Sequence, residues 1–144
     1  MNERVIYLET SALLQVLLEQ GSHVGINEIL ADLEHADRLL TSRLTRIECE
    51  RALLRLAIER AATPEALSRV EQEMATLFDR VEVIEISAEI AELAGRIAPA
   101  SPLRSLEAIH LATWQVARRL APDLELVTAD RRFAAAAGVV VVGG

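Results

Sequence analysis

Four carboxylates stand at positions where they could share a divalent ion. Glu9 directly follows one predicted strand and Asp130 follows another, while Glu48 and Glu107 each fall in the first turn of a predicted helix. In an open parallel sheet the carboxyl ends of the strands form one edge, and ligands bind beyond that edge. Anions gathered there repel one another, and an all-oxygen set of ligands suits Mg²⁺ or Mn²⁺. The sequence therefore predicts an acidic metal site that could activate water.

Each of these acids, taken singly, also has an ordinary structural explanation. Glu107 gains about 0.3–1 kcal/mol from the dipole of its helix. Asp130 is a suitable N-cap, and Glu48 could complete a capping box that Thr45 begins. Glu9 is harder to explain in this way, because a carboxylate beside a buried strand destabilises the fold unless it is compensated. Only convergence at one edge distinguishes a site from unrelated acids.

The elements that would position these acids alternate between strand and helix. Apolar runs predict five strands, at 5–8, 39–42, 81–86, 124–128 and 139–142. Helical periodicity and capping residues predict helices between them, and Thr45 is the expected cap of the helix after the second strand. This alternation predicts an α/β fold: a single domain over 1–144, with a central, mostly parallel five-stranded sheet and helices on both faces.

The composition excludes several classes of protein. The chain has 144 residues, a formal net charge of −7 and a single cysteine. All 15 basic residues are arginine, which excludes mechanisms that need a lysine. Four aromatic residues are too few for a base-stacking platform. No apolar run approaches the ~18 residues of a membrane span, and the N-terminus lacks a signal-peptide pattern. We therefore expect a soluble cytoplasmic protein with no membrane partner.

Other residues that could do chemistry give weaker signals. The three histidines lack the mutual spacing of a zinc site. His110 follows Glu107 by three residues and could face the same cleft, although helix packing is the interpretation we favour. Arg51 and Arg131 are candidate phosphate-binding residues, and solvated or ion-paired faces are the simpler interpretation of both.

Four segments together resemble a known family. VIYLETSALL, TSRLTRIECERAL, LRSLEAIHLATW and LVTADRRFAAAAG occur in the order and at the spacing of PIN domains, and specifically of the VapC-like ribonuclease toxins of bacterial toxin–antitoxin pairs. The resemblance implies a parallel sheet, an acidic metal-binding cleft and a tendency to dimerise. It places the family's four acidic positions at the same residues that the sheet-edge argument selected. It also matches Ser11 and Thr128 to hydroxyl positions that accompany those acids.

The chain departs from the family pattern at two positions. Glu9 and Glu107 stand where the family usually has aspartate. Each glutamate adds one methylene, which extends the reach of the carboxylate by about 1.5 Å. Mg²⁺ requires near-octahedral ligands at about 2.0–2.1 Å, and a misplacement of ~1 Å can reduce a rate about a hundredfold. We therefore expect the two glutamates to affect metal binding less than they affect the rate of catalysis.

The leading hypothesis is a metal-dependent endoribonuclease with one or two Mg²⁺ or Mn²⁺ ions. Glu9, Glu107 and Asp130 would be the main ligands, Glu48 would ligate the metal or orient a water, and Ser11 and Thr128 would support the ligands. The resemblance also implies an antitoxin that inserts a basic side chain into the cleft.

Two expectations complete the interpretation. A homodimer is expected, because mean hydropathy is +0.25 and the helices between 44 and 78 carry more Leu and Ala than one buried face requires. The alternative to a nuclease is a catalytically weakened PIN-fold module that binds RNA or protein, and the two glutamates are its motivation.

Overall fold

The computed structural model describes residues 3–19, 23–98 and 100–138. Its strands are β1 Val5–Leu8, β2 Arg38–Ser42, β3 Val81–Ile84 and β4 Glu125–Val127. They form one sheet in the order β3-β2-β1-β4, and every pairing is parallel. The predicted α/β fold with a parallel sheet is confirmed. The predicted fifth strand, 139–142, lies outside the described residues, so the described sheet has four strands.

Seven helices occur in the described part of the chain. They are α1 Thr10–Leu17, α2 His23–His35, α3 Arg43–Ile58, α4 Pro64–Arg80, α5 Ala88–Ala94, α6 Ser105–Leu120 and α7 Arg131–Ala137. Four of these helices begin directly after a strand or are separated from it by one to three residues, so the sheet places their N-termini at its carboxyl edge. Among the described residues, no helix combines the length and the apolar character needed to cross a bilayer.

The predicted cap of α3 is wrong. Ser42, rather than Thr45, precedes the helix, and its Oγ accepts a hydrogen bond from Leu44 N at 3.1 Å. α3 therefore begins directly at the end of β2. Thr45 is fully buried inside the helix, where its hydroxyl lies 3.1 Å from that of Thr10. Both residues are capping types, and the helix uses the one that is nearer to the strand.

Side chains of β1 divide the core between the two faces of the sheet. Ile6 and Leu8 pack in one apolar cluster with α1, α2, α3 and α4. Val5 and Tyr7 pack in a second cluster with α6 and α7, where the Tyr7 ring meets Trp114 edge-on at 5.8 Å. Because successive side chains of a strand point to opposite faces, this division confirms that helices cover both sides of the sheet.

Candidate active site

The buried polar residues of the described chain gather near the carboxyl edge of the sheet. They are Glu9, Thr10, Thr41, Ser42, Thr45, His110, Thr113 and Thr128. Most lie at the ends of β1, β2 and β4 or in the first turns beyond them, and the other two come from α6. A buried polar group destabilises a fold unless it is hydrogen-bonded. Apolar packing alone therefore does not explain this concentration of buried polar groups, which marks a candidate functional site.

Glu9 is held there by neutral donors. Its side chain is almost fully buried and caps α1, and its Oε2 accepts hydrogen bonds from Ser11 N at 3.0 Å, from Thr128 Oγ1 at 2.7 Å and from Ser11 Oγ. Ser11 Oγ in turn accepts from Ala129 N at 3.0 Å. These bonds compensate the buried carboxylate without any cation, and they join the end of β1 to the end of β4. Ser11 and Thr128 thus contact Glu9 directly.

Asp130 belongs to the same network through Thr128. Its backbone N donates to Thr128 Oγ1 at 3.0 Å, and its Oδ1 caps α7 by accepting from the backbone N of Arg132 at 2.9 Å and of Phe133 at 3.1 Å. The ordinary explanation of Asp130 as an N-cap is therefore correct. That role occupies only one of its two carboxylate oxygens.

Glu48 forms the second part of the site, with Thr10 and His110 as its partners. Its Oε1 accepts a hydrogen bond from Thr10 Oγ1 at 2.8 Å and contacts Nε2 of His110, a histidine that is 3% exposed. Burial raises the pKa of Glu48, but the hydrogen bonds from His110 and Thr10 outweigh burial and leave the pKa below its usual value. The predicted capping box with Thr45 does not form, and Glu48 stays ionised at neutral pH.

His110 and Thr10 are the residues that sequence reasoning undervalued. His110 does pack, with its ring edge-on to that of Phe133 at 6.4 Å, but it also contacts Glu48. The available signal was its three-residue spacing from Glu107. Thr10 had no signal beyond its place next to Glu9.

Among the described residues, Glu107 has no hydrogen-bond or ion-pair partner in common with Glu9 or Glu48. It lies in the first turn of α6, where its Oε2 accepts from Arg104 N at 3.3 Å and pairs with Arg132 Nη2 at 3.6 Å. Its side chain is 29% exposed. The helix N-terminus and a cation both stabilise this carboxylate, so a metal ligated by Glu107 would compete with Arg132.

The four predicted carboxylates share one feature. In each, the hydrogen bonds and ion pairs to described residues end on a single oxygen, which leaves the other oxygen for a ligand: Oε1 of Glu9, Oε2 of Glu48, Oε1 of Glu107 and Oδ2 of Asp130. This donor chemistry fits a hard divalent cation. The side chains as they stand nevertheless gather no group of three His, Cys, Asp or Glu around one point in the described part of the chain.

A groove of about 450 Å³ runs beside Glu48. Its lining includes Thr10, Glu48, Leu106 and two arginines of α3, Arg51 and Arg55. Within the described residues neither arginine has an ion-pair partner, whereas the other two arginines of this helix pair with Glu85 and Glu50. The groove is therefore the place where α3 leaves positive charge uncompensated.

Comparisons with known proteins give a consistent assignment. The family model of the PIN domain matches residues 6–139. The chain is 40% identical over 133 residues to Ribonuclease VapC35 of Mycobacterium tuberculosis (strain ATCC 25618 / H37Rv), covering 92% of this chain and 90% of that protein. It is 28% identical over 130 residues to Ribonuclease VapC49 of the same strain, covering 90% of this chain and 86% of the relative.

Solved structures agree with these relatives. A toxin–antitoxin complex from Klebsiella pneumoniae contains a chain that matches with a TM-score of 0.63 and 26% identity, covering 94% of this chain and 95% of that one. VapBC2 from Rickettsia felis, bound to a DNA fragment from its promoter, matches with a TM-score of 0.63 over 95% of this chain and 96% of that one. At 11% identity the second match shows the shared fold alone.

Proposed function

The chain belongs to the PIN domain family, and we propose that it is a metal-dependent endoribonuclease, a VapC-like toxin held inactive by a cognate antitoxin. The 40% identical relative is named a ribonuclease, and the 26% identical structure is a toxin–antitoxin complex. The observation that carries the proposal is the arrangement of Glu9, Glu48, Glu107 and Asp130 near the carboxyl edge, each with one oxygen held by the protein and one left for a ligand.

Glu9, Glu107 and Asp130 would hold one or two Mg²⁺ or Mn²⁺ ions. Such an ion supplies Lewis acidity, which activates water and offsets the charge that develops on the phosphate. The chain supplies the rest. Ser11 and Thr128 fix the orientation of Glu9 through Oε2.

Glu48 would ligate the ion as well or act on the water. Because its pKa lies below the usual value, it is ionised at neutral pH and can orient the attacking water, or accept its proton, through the oxygen that His110 and Thr10 leave free. The products of the reaction are two RNA fragments, and the protein forms no covalent intermediate.

Arginines would hold the RNA backbone. Arg51 lines the groove beside Glu48, and Arg131 is exposed at the start of α7, next to Asp130. Neither has an ion-pair partner among the described residues, so both are available for phosphate oxygens. A chain with a net charge of −7 repels RNA elsewhere, which makes such local positive charge necessary for binding.

Two protein partners are expected, one at the acidic cleft and one at the exposed apolar face of α3. A basic side chain of the antitoxin would compensate the acidic cleft, and a second copy of the chain would cover the exposed apolar stripe Ile47, Leu54 and Ile58 of α3, whose exposures are 46%, 44% and 72%. We place both encounters in the cytoplasm. Light scattering at micromolar concentration, without antitoxin, is expected to give a dimer or larger, and a monomeric mass would contradict this part of the proposal.

The test of the proposed function is a cleavage assay on structured RNAs. The wild type should cut RNA with Mg²⁺ or Mn²⁺ and not with a chelator. Glu48→Gln, which keeps the size of the side chain and one acceptor oxygen, should abolish the cutting and so exclude a contaminating nuclease. RNA binding without cleavage would contradict the proposal and favour the weakened binding module, an alternative that none of the comparisons supports.

A further inference from the structure

His110 is a buried polar side chain to which the proposed mechanism gives no task. It lies on α6 one turn beyond Glu107 and is 3% exposed. Its Nε2 contacts Glu48 Oε1 and lies 3.4 Å from Thr10 Oγ1. Its Nδ1 is buried and has no hydrogen-bond partner among the described residues. Among the described residues, the polar contacts of the imidazole are therefore those of Nε2 with Glu48 and Thr10.

The chemistry of the two groups fixes the direction of that contact. An ionised carboxylate can only accept hydrogen bonds, so Nε2 must carry the proton, and this holds for the neutral ring and for the cation alike. Thr10 Oγ1 donates to the same oxygen at 2.8 Å. Two donors from different elements, α1 and α6, thus hold Oε1 of Glu48. The ring of Phe133 packs edge-on against the imidazole.

We propose that His110 is a positioning residue: with Thr10 it fixes Oε1 of Glu48, so that Oε2 is presented to the groove that Arg51 lines. The hydrogen bond stands independently of any activity, and its consequence for catalysis rests on the proposed function. Leu or Phe would fill the same space, so packing alone does not account for an imidazole whose second nitrogen is left without a partner. Removing a residue that orients a metal-site carboxylate typically reduces metal affinity or activity by about 10–100-fold.

The test compares two substitutions at this position. His110→Gln keeps an N–H donor near the place of Nε2, and His110→Leu removes it. Each is made alone and together with Glu48→Gln, and the pair His35→Gln and His35→Leu, at an exposed histidine on α2, is the matched control. Two quantities are measured: the dissociation constant of Mn²⁺ for the protein alone, and the single-turnover rate of RNA cleavage with Mn²⁺ at saturating protein.

His110→Leu should weaken Mn²⁺ binding, cleavage or both by about 10–100-fold, whereas His110→Gln should stay within about threefold of the wild type. The Glu48→Gln background should cut no RNA, so only Mn²⁺ binding is compared there. In that background His110→Leu should cause no further loss of Mn²⁺ affinity, because the residue acts through Glu48. Circular dichroism and thermal melting establish that each variant is folded. A mere packing role would make Leu at least as good as Gln.

The outcomes separate the two proposals. The positioning role is overturned, and the function left standing, if the wild type cuts RNA and His110→Leu changes neither measurement. The same conclusion follows if His110→Leu loses Mn²⁺ affinity equally in the wild-type and Glu48→Gln backgrounds. A wild type that binds Mn²⁺ with the expected coupling but cuts no RNA supports the positioning role and overturns the function. Absence of both Mn²⁺ binding and cleavage overturns both.

Discussion

Two parts of the candidate site hold their carboxylates in different ways. In the part between β1 and β4, Glu9 and Asp130 are bound by hydroxyl and amide groups that lie next to them in the chain or on the neighbouring strand. In the part between α3 and α6, Glu48 is bound by His110, which is 62 residues away in sequence. The first arrangement follows from strand pairing and helix capping, and the second depends on how two helices pack. Substitution of the hydroxyl groups should therefore disturb the part between β1 and β4. Substitution of the His110 imidazole should disturb the part between α3 and α6.

Within the part between β1 and β4, substitution of Glu9 should have the largest effect on catalysis. Glu9→Gln keeps an oxygen that can accept from Ser11 and Thr128, so the fold should be retained, but the charge needed for metal binding is lost. Cleavage should fall on the order of 10³-fold, which corresponds to about 4 kcal/mol of transition-state stabilisation. Single-turnover kinetics with Mn²⁺ measure this, with exposed Asp79→Asn on α4 as the control. A Glu9→Gln rate within tenfold of the wild type would mean that the β1–β4 part does not hold the metal.

Loss of the Thr128 hydroxyl should destabilise the fold. This fully buried group donates to Glu9 Oε2 and accepts from Asp130 N, so Thr128→Val leaves a buried carboxylate oxygen and a backbone N–H with one partner fewer. We expect a loss of about 1–3 kcal/mol in the free energy of unfolding. Urea denaturation measures it. Thr128→Ser, which retains the hydroxyl, should recover most of the loss. A Thr128→Ser protein that is less stable than Thr128→Val would show that the methyl group, rather than the hydroxyl, carries the stability.

Protonation of Glu48 at acid pH should lower the stability of the protein. The pKa of Glu48 is lower in the folded protein than its usual value of 4.5, so its contribution to stability is complete above about pH 4.5 and is lost as the pH falls through the lowered pKa. Glu48→Gln does not titrate. Urea denaturation at stepped pH should therefore show the wild type losing more stability than this variant below about pH 4.5. Parallel curves would contradict the lowered pKa.

The smallest effect is expected at the ion pair between Arg132 and Glu107. The Arg132 side chain is 60% exposed and the contact is 3.6 Å, so Arg132→Gln should change the free energy of unfolding by less than about 1 kcal/mol. Removal of the competing cation should strengthen Mn²⁺ binding modestly, by up to about threefold. Calorimetric titration measures it, with Arg119→Gln as the control, since Arg119 pairs with Glu89 on α5. Weaker Mn²⁺ binding in Arg132→Gln would contradict competition at Glu107.

The same contrast explains what the sequence could predict. Glu9 directly follows β1 and Asp130 comes three residues after the end of β4. Strand pairing brings β1 beside β4, so the edge that these acids share could be derived from the sequence pattern alone. The contact between Glu48 and His110 could not, because it depends on the rotation of α6 about its axis and on two side-chain conformations. The α3 cap failed for a similar reason: Ser42 and Thr45 are both capping types, and only the end of β2 decides between them.

Thermal melting with Mn²⁺ tests most directly whether these carboxylates form one metal site. At a hundredfold excess over the dissociation constant, binding should stabilise the wild type by about 2.7 kcal/mol, and each kcal/mol raises the melting temperature of a domain of this size by very roughly 2–6 °C. Asp130→Asn keeps an N-cap for α7 but loses the charge, so its metal-induced rise should be much smaller, while Asp79→Asn should show the full rise. Equal rises in all three proteins, or no rise in the wild type, would contradict a metal site built from Glu9, Glu107 and Asp130.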